Sequence, residues 1–284
     1  MKTVLVTGST GALGQAVIRC LNKDGHYNII ATSRKEVDVN ARLDVTDHAQ
    51  LAAVIDREKP ELILHLAATF VNDFDEAYAV NVEASRQLLE TIRRSEMTVR
   101  VLLIGSAAEY GVIQPEENPV REDHVLNPVS VYGLTKAWQT QLAGFYASSG
   151  VDAVVARVFN LEGGNLSERL FIGRLQKQID EVLAGKQSVI ELGSLDASRD
   201  YISIDEAAVQ ILAIAKRGES GQVYNVASGV PVTMREILAR YLKKNKLDIS
   251  VVHESASLSH RVGYDVPVIY ADMNKTLQLG IESE

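Results

Sequence analysis

The sequence predicts an α/β protein built on a doubly wound parallel sheet. Short β-branched runs alternate with longer amphipathic stretches through the first 160 residues, a glycine-rich turn joins the first run to the first amphipathic stretch, and breakers fall between segments rather than inside them. A βαβ series of this kind lays its strands side by side in parallel and covers both faces with helices.

The elements follow in order. Val4-Leu5-Val6 is the first strand and Ala12 to Lys23 the first helix, closed by Asn22-Lys23-Asp24-Gly25. Asn28-Ile29-Ile30-Ala31 is the second strand, a short third strand precedes Asp44, and Leu51 to Glu58 forms a helix. Lys59-Pro60-Glu61 then introduces a strand at Leu62-Ile63-Leu64. A helix from Phe74 to Arg94, a strand from Val99 to Ile104, a helix from Ser130 to about Ser148 and a strand at Ala153-Val154-Val155-Ala156 bring the expected sheet to six strands by residue 160. Beyond Asn160 the rhythm loosens. A break at Gly163-Gly164, a helix from Glu168 to Ala184 and short strands near Val189-Ile190 and at Gln222 to Asn225 predict a smaller unit laid over the sheet, with the site in the cleft between.

Composition narrows the function. The 284 residues carry 29 Lys+Arg against 37 Asp+Glu, a net charge of −8, with 46% apolar residues. That apolar content excludes a disordered chain, and an acidic surface is a poor match for a nucleic-acid backbone. A small-molecule partner is expected, with no nucleic acid and no membrane. The single Cys20 allows no internal disulfide, no Cys/His cluster has zinc-ligand spacing, and no metal is expected. No apolar run reaches membrane-spanning length and Met1-Lys2 leads straight into a short strand, so the expected location is cytoplasmic.

Thr7-Gly8-Ser9-Thr10-Gly11-Ala12-Leu13-Gly14 follows the first strand and opens the first helix. Glycines at 8, 11 and 14 permit a tight turn, close backbone approach to a pyrophosphate and close helix–sheet packing, while the helix N-terminus offers free N–H groups. At the end of the second strand, where an acidic residue would hold the ribose hydroxyls of NAD, the chain reads Ala31-Thr32-Ser33-Arg34-Lys35, with no acid before Glu36. Ser33 and Arg34 therefore point to NADP and its 2′-phosphate, with NAD the lesser expectation. Asp44 and Val45 are expected along the adenine.

Tyr132 and Lys136 stand four apart at the start of a helix, which puts phenol and ammonium on one side. The opposite face carries Val131, Leu134, Trp138, Leu142 and Phe145. A nearby cation is expected to bring the phenol toward neutral pH. Ser106 lies at the C-terminal end of the fifth strand, where ligands of open α/β sheets bind. His65 on the fourth strand and Cys20 on the first helix read as packing residues.

The glycine turn at 7–14, the serine after Val-Leu-Leu-Ile-Gly and the Tyr132-x-x-x-Lys136 pair make the chain resemble the extended short-chain dehydrogenase/reductases. Arg157-Val158-Phe159-Asn160, Ser198-Arg199-Asp200-Tyr201 and Val223 to Gly229 are similar to the epimerase/dehydratase branch that acts on nucleotide sugars. The resemblance implies a Rossmann-like cofactor domain at 1–160, rejoined by 200–227, and a nucleotide-sugar-binding unit from 161–199 and 228–284. It implies Tyr132 as proton donor, Lys136 as the residue that lowers its pKa and holds the nicotinamide ribose, Ser106 as partner of the reacting carbonyl, and cofactor contacts from Leu66, Ala67 and Ala68. For substrate it implies Ala107 beside Ser106, Asn160, and the arginines Arg174, Arg199 and Arg261. Dehydratases of the branch carry an Asp-Glu pair where this chain has Ala107-Ala108, and methyl groups transfer no protons. Glu109, one position later, points away on a strand-like backbone and is not a candidate.

What remains is a 4-ketoreductase or a 4-epimerase. The Ser33-Arg34 signal favours the reductase, since that reaction takes fresh NADPH each turn, and the arrangement resembles reductases that make GDP-rhamnose. A binding protein that senses NADP on the same fold is the alternative of another class. The branch usually dimerises through the Tyr132 helix and the helix before it, so a homodimer is expected, with Tyr78, Val82, Leu88, Leu89 and Trp138 on the contact helices.

Overall fold

The computed structural model describes residues 1–34, 41–95, 97–258 and 266–281. The first half runs β1 (Lys2–Thr7), α1 (Ala12–Asp24), β2 (Tyr27–Ser33), β3 (Ala41–Arg42), α2 (His48–Glu58) and β4 (Leu62–His65). It continues with α3 (Phe74–Ala77), α4 (Ala84–Arg94), β5 (Arg100–Ser106), α5 (Val131–Ser148) and β6 (Asp152–Val158). The second half contains β7 (Asn160–Glu162), α6 (Phe171–Leu183), β8 (Ile190–Leu192), β9 (Ser198–Ser203) and α7 (Ile204–Arg217). It ends with β10 (Val223–Val226), β11 (Pro231–Thr233), α8 (Met234–Lys244), β12 (Val252–Glu254), β13 (Val268–Ile269) and α9 (Asn274–Leu277).

Seven parallel strands form the main sheet in the order β3-β2-β1-β4-β5-β6-β10. The six strands expected before residue 160 are present, and β10 adds a seventh beside β6. The period-2 alternation of buried residues sorts them into two layers. Val4, Val6, Leu64, Leu102, Ile104, Val154 and Ala156 pack with α1 and α7, while Leu5, Ile63, Val101, Leu103, Ala153 and Val155 pack with α2, α4 and α5. Strand order reverses at β1, between β2 and β4, so the carboxyl ends of β1 and β4 open the crevice where such sheets bind ligands.

The smaller unit has its own core, in which Ile172, Leu175 and Ile179 of α6 meet Ile237, Leu238 and Leu242 of α8, with Ile190 and Leu192 from β8. Its four-stranded sheet joins β11, β9 and β13 with β7. Asp200, fully buried, ties this sheet to neighbouring segments by accepting hydrogen bonds from Ser228 N–H and O–H, Gly229 N–H and Ala271 N–H at 2.6–3.1 Å.

The helix expected as one piece from Phe74 to Arg94 is continuous but changes pitch. A π-helical turn (Tyr78–Glu83) lies between α3 and α4. That wider turn carries the buried Asn81, whose amide bonds both Thr69 and Thr135 of α5, so the pitch change coincides with a tertiary contact. Helix α5 buries its small and polar residues, Gly133, Thr135, Lys136, Gln139, Thr140 and Ala143, and leaves the apolar Phe145 64% exposed.

Gly133 lets α5 lie directly on the segment after β5, because a Cβ there would stand 2.4 Å from the Ala108 carbonyl oxygen. Gly144, in the same helix, has nothing within 4 Å of that position. Gly144→Ala is therefore expected to stabilise the protein by up to about 1 kcal/mol through helix propensity, whereas Gly133→Ala lowers the denaturation midpoint despite the same propensity gain. Chemical denaturation of the two variants checks the contrast.

Candidate active site

The glycine turn stands at the carboxyl end of β1. Gly8 has φ 68°, and a Cβ on it would lie 2.7 Å from Ala67 N, so only glycine lets the turn meet the chain leaving β4. A Cβ on Gly14 would come 2.4 Å from the Gly8 carbonyl. Gly11 offers no side chain to cap α1, so the first-turn N–H groups at Ala12 and Leu13 suit an anion. These features fit the pyrophosphate of a dinucleotide.

At the end of β2 the Thr10 and Ser33 hydroxyls meet at 3.1 Å, Ser33 is buried and Arg34 is exposed. The Asp44 carboxylate accepts from Thr46 N–H and O–H, and these bonds, with the Arg34 and Arg42 charges nearby, hold it below the usual carboxylate range. Arg42, the β3 residue paired with Ser33, escaped the sequence reading because nothing in a two-residue strand marks it. Val45 is 5% exposed and packs with α2 residues, so its side chain belongs to the core and only its backbone is available along an adenine.

Leu66 and Ala67 line the other wall, with Ala67 N–H donating to Thr7 Oγ1 at 3.3 Å and Ala68 exposed. His65 is buried, as expected of a packing residue. Its Nδ1 lies 3.0 Å from Thr7 Oγ1, while its buried Nε2 has no hydrogen-bond partner among the described residues. Burial, reinforced by the Lys136 charge, pushes the imidazole down to about 3.

Tyr132 and Lys136 stand one turn apart at the start of α5, and Ser106 ends β5. The Ser106 side chain approaches the Tyr132 phenol closely enough to favour its ionised form, and the Phe70 ring lies 4.6 Å from the Tyr132 ring. The expectation that Lys136 lowers the phenol is not met in this arrangement. Burial pushes Tyr132 up, the Ser106 side chain draws it partly back, and Lys136 Nζ turns to Gln139 Oε1 instead. Desolvation takes Lys136 itself down to about 8, opposed by the charge of Glu109. Gln139 donates to Ser85 Oγ, Ser85 to the Asn81 carbonyl, and Asn81 to Thr135 Oγ1, which returns to the Tyr132 carbonyl. This buried chain was invisible in sequence because its members lie on two helices more than fifty residues apart.

Ala107–Glu109 forms a 3₁₀ turn rather than a strand continuation, which reverses the direction expected of Glu109. Its side chain folds beneath Ser106 and is fully buried. Ala107 is half-buried beside Ser106. Among the substrate candidates, Asn160 donates to the Asp200 carbonyl at 3.2 Å, so it and Arg199 belong to the same small sheet. Arg199 is 4% exposed and donates to the Ser198 carbonyl, and Arg174 is half-buried on α6. Arg261 lies outside the described residues, as do Lys35 and Glu36.

Residues 4–227 match the model of the NAD dependent epimerase/dehydratase family. The chain belongs to that family. It is an extended short-chain dehydrogenase/reductase, and members of the family use nicotinamide cofactors. It is 25% identical over 281 residues to the GDP-6-deoxy-D-talose 4-dehydrogenase of Aggregatibacter actinomycetemcomitans, covering 97% of this chain and 90% of that one. It is 26% identical over 208 residues to the GDP-6-deoxy-D-mannose reductase of Pseudomonas aeruginosa, covering 71% and 68%. The structure of RMD from Pseudomonas aeruginosa complexed with NADPH superposes with a TM-score of 0.87 at 21% identity, covering 100% of this chain and 94% of that one, which shows the shared fold. Among the described residues no helix is long and apolar enough to cross a membrane.

His65 gives the site a pH signature. Its ordinary value is 6.5 and its folded value about 3, so below pH 6.5 the unfolded chain binds a proton that the native chain refuses, and stability falls with pH across that window. Between pH 7 and 5 the wild type is expected to lose about 2 kcal/mol more than His65→Asn, measured by urea unfolding at each pH.

Proposed function

We propose that this protein is an NADPH-dependent 4-ketoreductase of nucleotide-linked 4-dehydro-6-deoxy sugars, of the kind that yields GDP-rhamnose. The observation that carries the reading is the placement of the Tyr132 phenol and Lys136, in the first turns of α5, against Ser106 at the carboxyl end of β5, with burial holding the phenol in its acid form. A phenol kept in its acid form is a proton donor, which ketone reduction requires. The bound nicotinamide would supply the hydride to C4. Tyr132 delivers its proton to the C4 oxygen, turning the carbonyl into a hydroxyl, and Ser106 donates a hydrogen bond to that oxygen as negative charge develops. Lys136, anchored through Gln139 and Ser85, presents a cation to the same region and holds the nicotinamide ribose.

Ser33 and Arg34 support NADP over NAD, since a guanidinium suits a 2′-phosphate. Ala107 and Ala108 leave no acid–base pair for removal of water. Relatives named for GDP-6-deoxy sugars support the substrate class, and Asn160, Arg199 and Arg174 are the candidates to meet its nucleotide end. A homodimer is part of this reading. Phe74, Tyr78 and Trp138 form an aromatic cluster with centroids 6.0–6.2 Å apart on the outer faces of α3, the π-helical turn and α5, a surface suited to a second copy. A cytoplasmic location accompanies it, because the reductant is held there.

NADPH oxidation by the purified protein across GDP-, dTDP-, UDP- and CDP-linked 4-keto-6-deoxy sugars is expected to exceed NADH oxidation for at least one of them. Interconversion of 4-epimers on retained NAD, with no net oxidation, would identify an epimerase instead. Tyr132→Phe is expected to lower kcat by roughly 10²–10⁴-fold while NADPH binding, followed by fluorescence, is unchanged.

A further inference from the structure

The geometry points to a further residue of the site: Glu109, held by Arg157, is a positioning residue that fixes Ser106 from beneath and, through Thr140, sets a carboxylate against α5 one turn from Lys136. The inference deepens the ketoreductase reading and rests on it for the roles of Ser106 and Lys136.

Both carboxylate oxygens are used. Oε1 accepts the Ser106 N–H at 2.6 Å. Oε2 accepts Thr140 Oγ1–H at 2.9 Å and Arg157 Nε–H at 3.0 Å, and pairs with the Arg157 Nη2 at 2.9 Å. Gly105 makes the room, because a Cβ there would lie 2.6 Å from Oε1. Arg157 is satisfied in turn by the Glu122 carbonyl and by the Tyr110 ring, whose centroid is 4.6 Å from its guanidinium carbon.

Two consequences follow for the reacting groups. The Ser106 N–H is tied down by Glu109, and its Oγ already accepts the Ala108 N–H at 3.2 Å. The serine hydroxyl hydrogen is thus left for Tyr132 or a substrate oxygen, in a fixed direction. Among the described residues, the charged and titratable groups around Lys136 are His65 from β4, Tyr132 on its own helix, and Glu109 with Arg157 behind it. Of these Glu109 alone carries a negative charge, and it opposes the desolvation that drives Lys136 down. The same charge helps keep the Tyr132 phenol protonated.

Three measurements on the full chain test the assignment. Carbon-13-labelled lysine NMR follows Lys136, identified by the signal lost in Lys136→Arg. In Glu109→Gln, which keeps the shape and removes the charge, the Lys136 titration midpoint is expected about one pH unit lower, with kcat reduced at least tenfold and KM for the nucleotide sugar within threefold. In Glu109→Asp, which keeps the charge but withdraws the acceptor by one methylene, the Lys136 titration stays at the wild-type position. There the Ser106 amide exchanges with solvent at least tenfold faster and kcat falls. An unmoved Lys136 titration in Glu109→Gln, or wild-type Ser106 exchange in Glu109→Asp, overturns the proposal. If Glu109→Gln does not fold, Glu109→Asp decides it. Lysine titration and amide exchange need no substrate, so failure of this assignment is separable from failure of the ketoreductase reading.

Discussion

Arg157 and Glu109 meet with side chains 2% and 0% exposed, and the pair joins the end of β5, the middle of α5 and the end of β6 at one point. Burying two opposite charges costs several kcal/mol per ion before their attraction is counted, and the arrangement survives only where every remaining donor and acceptor is matched. Here the matching is dense: a backbone N–H, a threonine hydroxyl, a backbone carbonyl and an aromatic face complete the shells. The geometry of Ser106, and through α5 that of Tyr132 and Lys136, is set against this fixed point. A site assembled on such a pair is stiff, which suits chemistry that depends on where a proton and a carbonyl oxygen meet.

The same region shows how burial assigns chemical roles. Three titratable groups sit near the start of α5 and the end of β4, and desolvation pushes each toward its neutral form: His65 down to about 3, Lys136 down to about 8, and the Tyr132 phenol upward. Lys136 still carries its proton at neutral pH because its value starts high, while His65 does not. The result is one cation beside one neutral acid at the carboxyl ends of the strands, with an imidazole that cannot compete for the proton.

The acidic balance of the chain bears on its ligands only at long range. A net charge of −8 disfavours an extended polyanion, yet the glycine turn and Arg34 concentrate positive potential locally at the ends of β1 and β2. Asp44 offsets that potential with a carboxylate that feels the charges of both Arg34 and Arg42. A pocket for a small phosphorylated ligand and an acidic exterior are therefore compatible in one molecule.

The sequence by itself determined the sheet, its order of elements and the family, because period-2 runs, the 7–14 turn and the Tyr132–Lys136 spacing are local signals that propagate directly into β1, α1 and α5. Tertiary structure decided what lies behind those residues. An extended backbone would turn Glu109 away from the site, and a single 3₁₀ turn brings it beneath Ser106 instead. Asn81, Gln139 and Ser85 carry no motif, since their partners are supplied by a neighbouring helix. Arg42 and the orphaned His65 Nε2 acquire meaning only from the register of β3 on β2 and from the crevice beside β4. Spacing along the chain specifies which side of a helix or strand a group occupies. Only the packed fold specifies what dielectric it meets and which distant group answers it, and those two quantities set its charge and its direction.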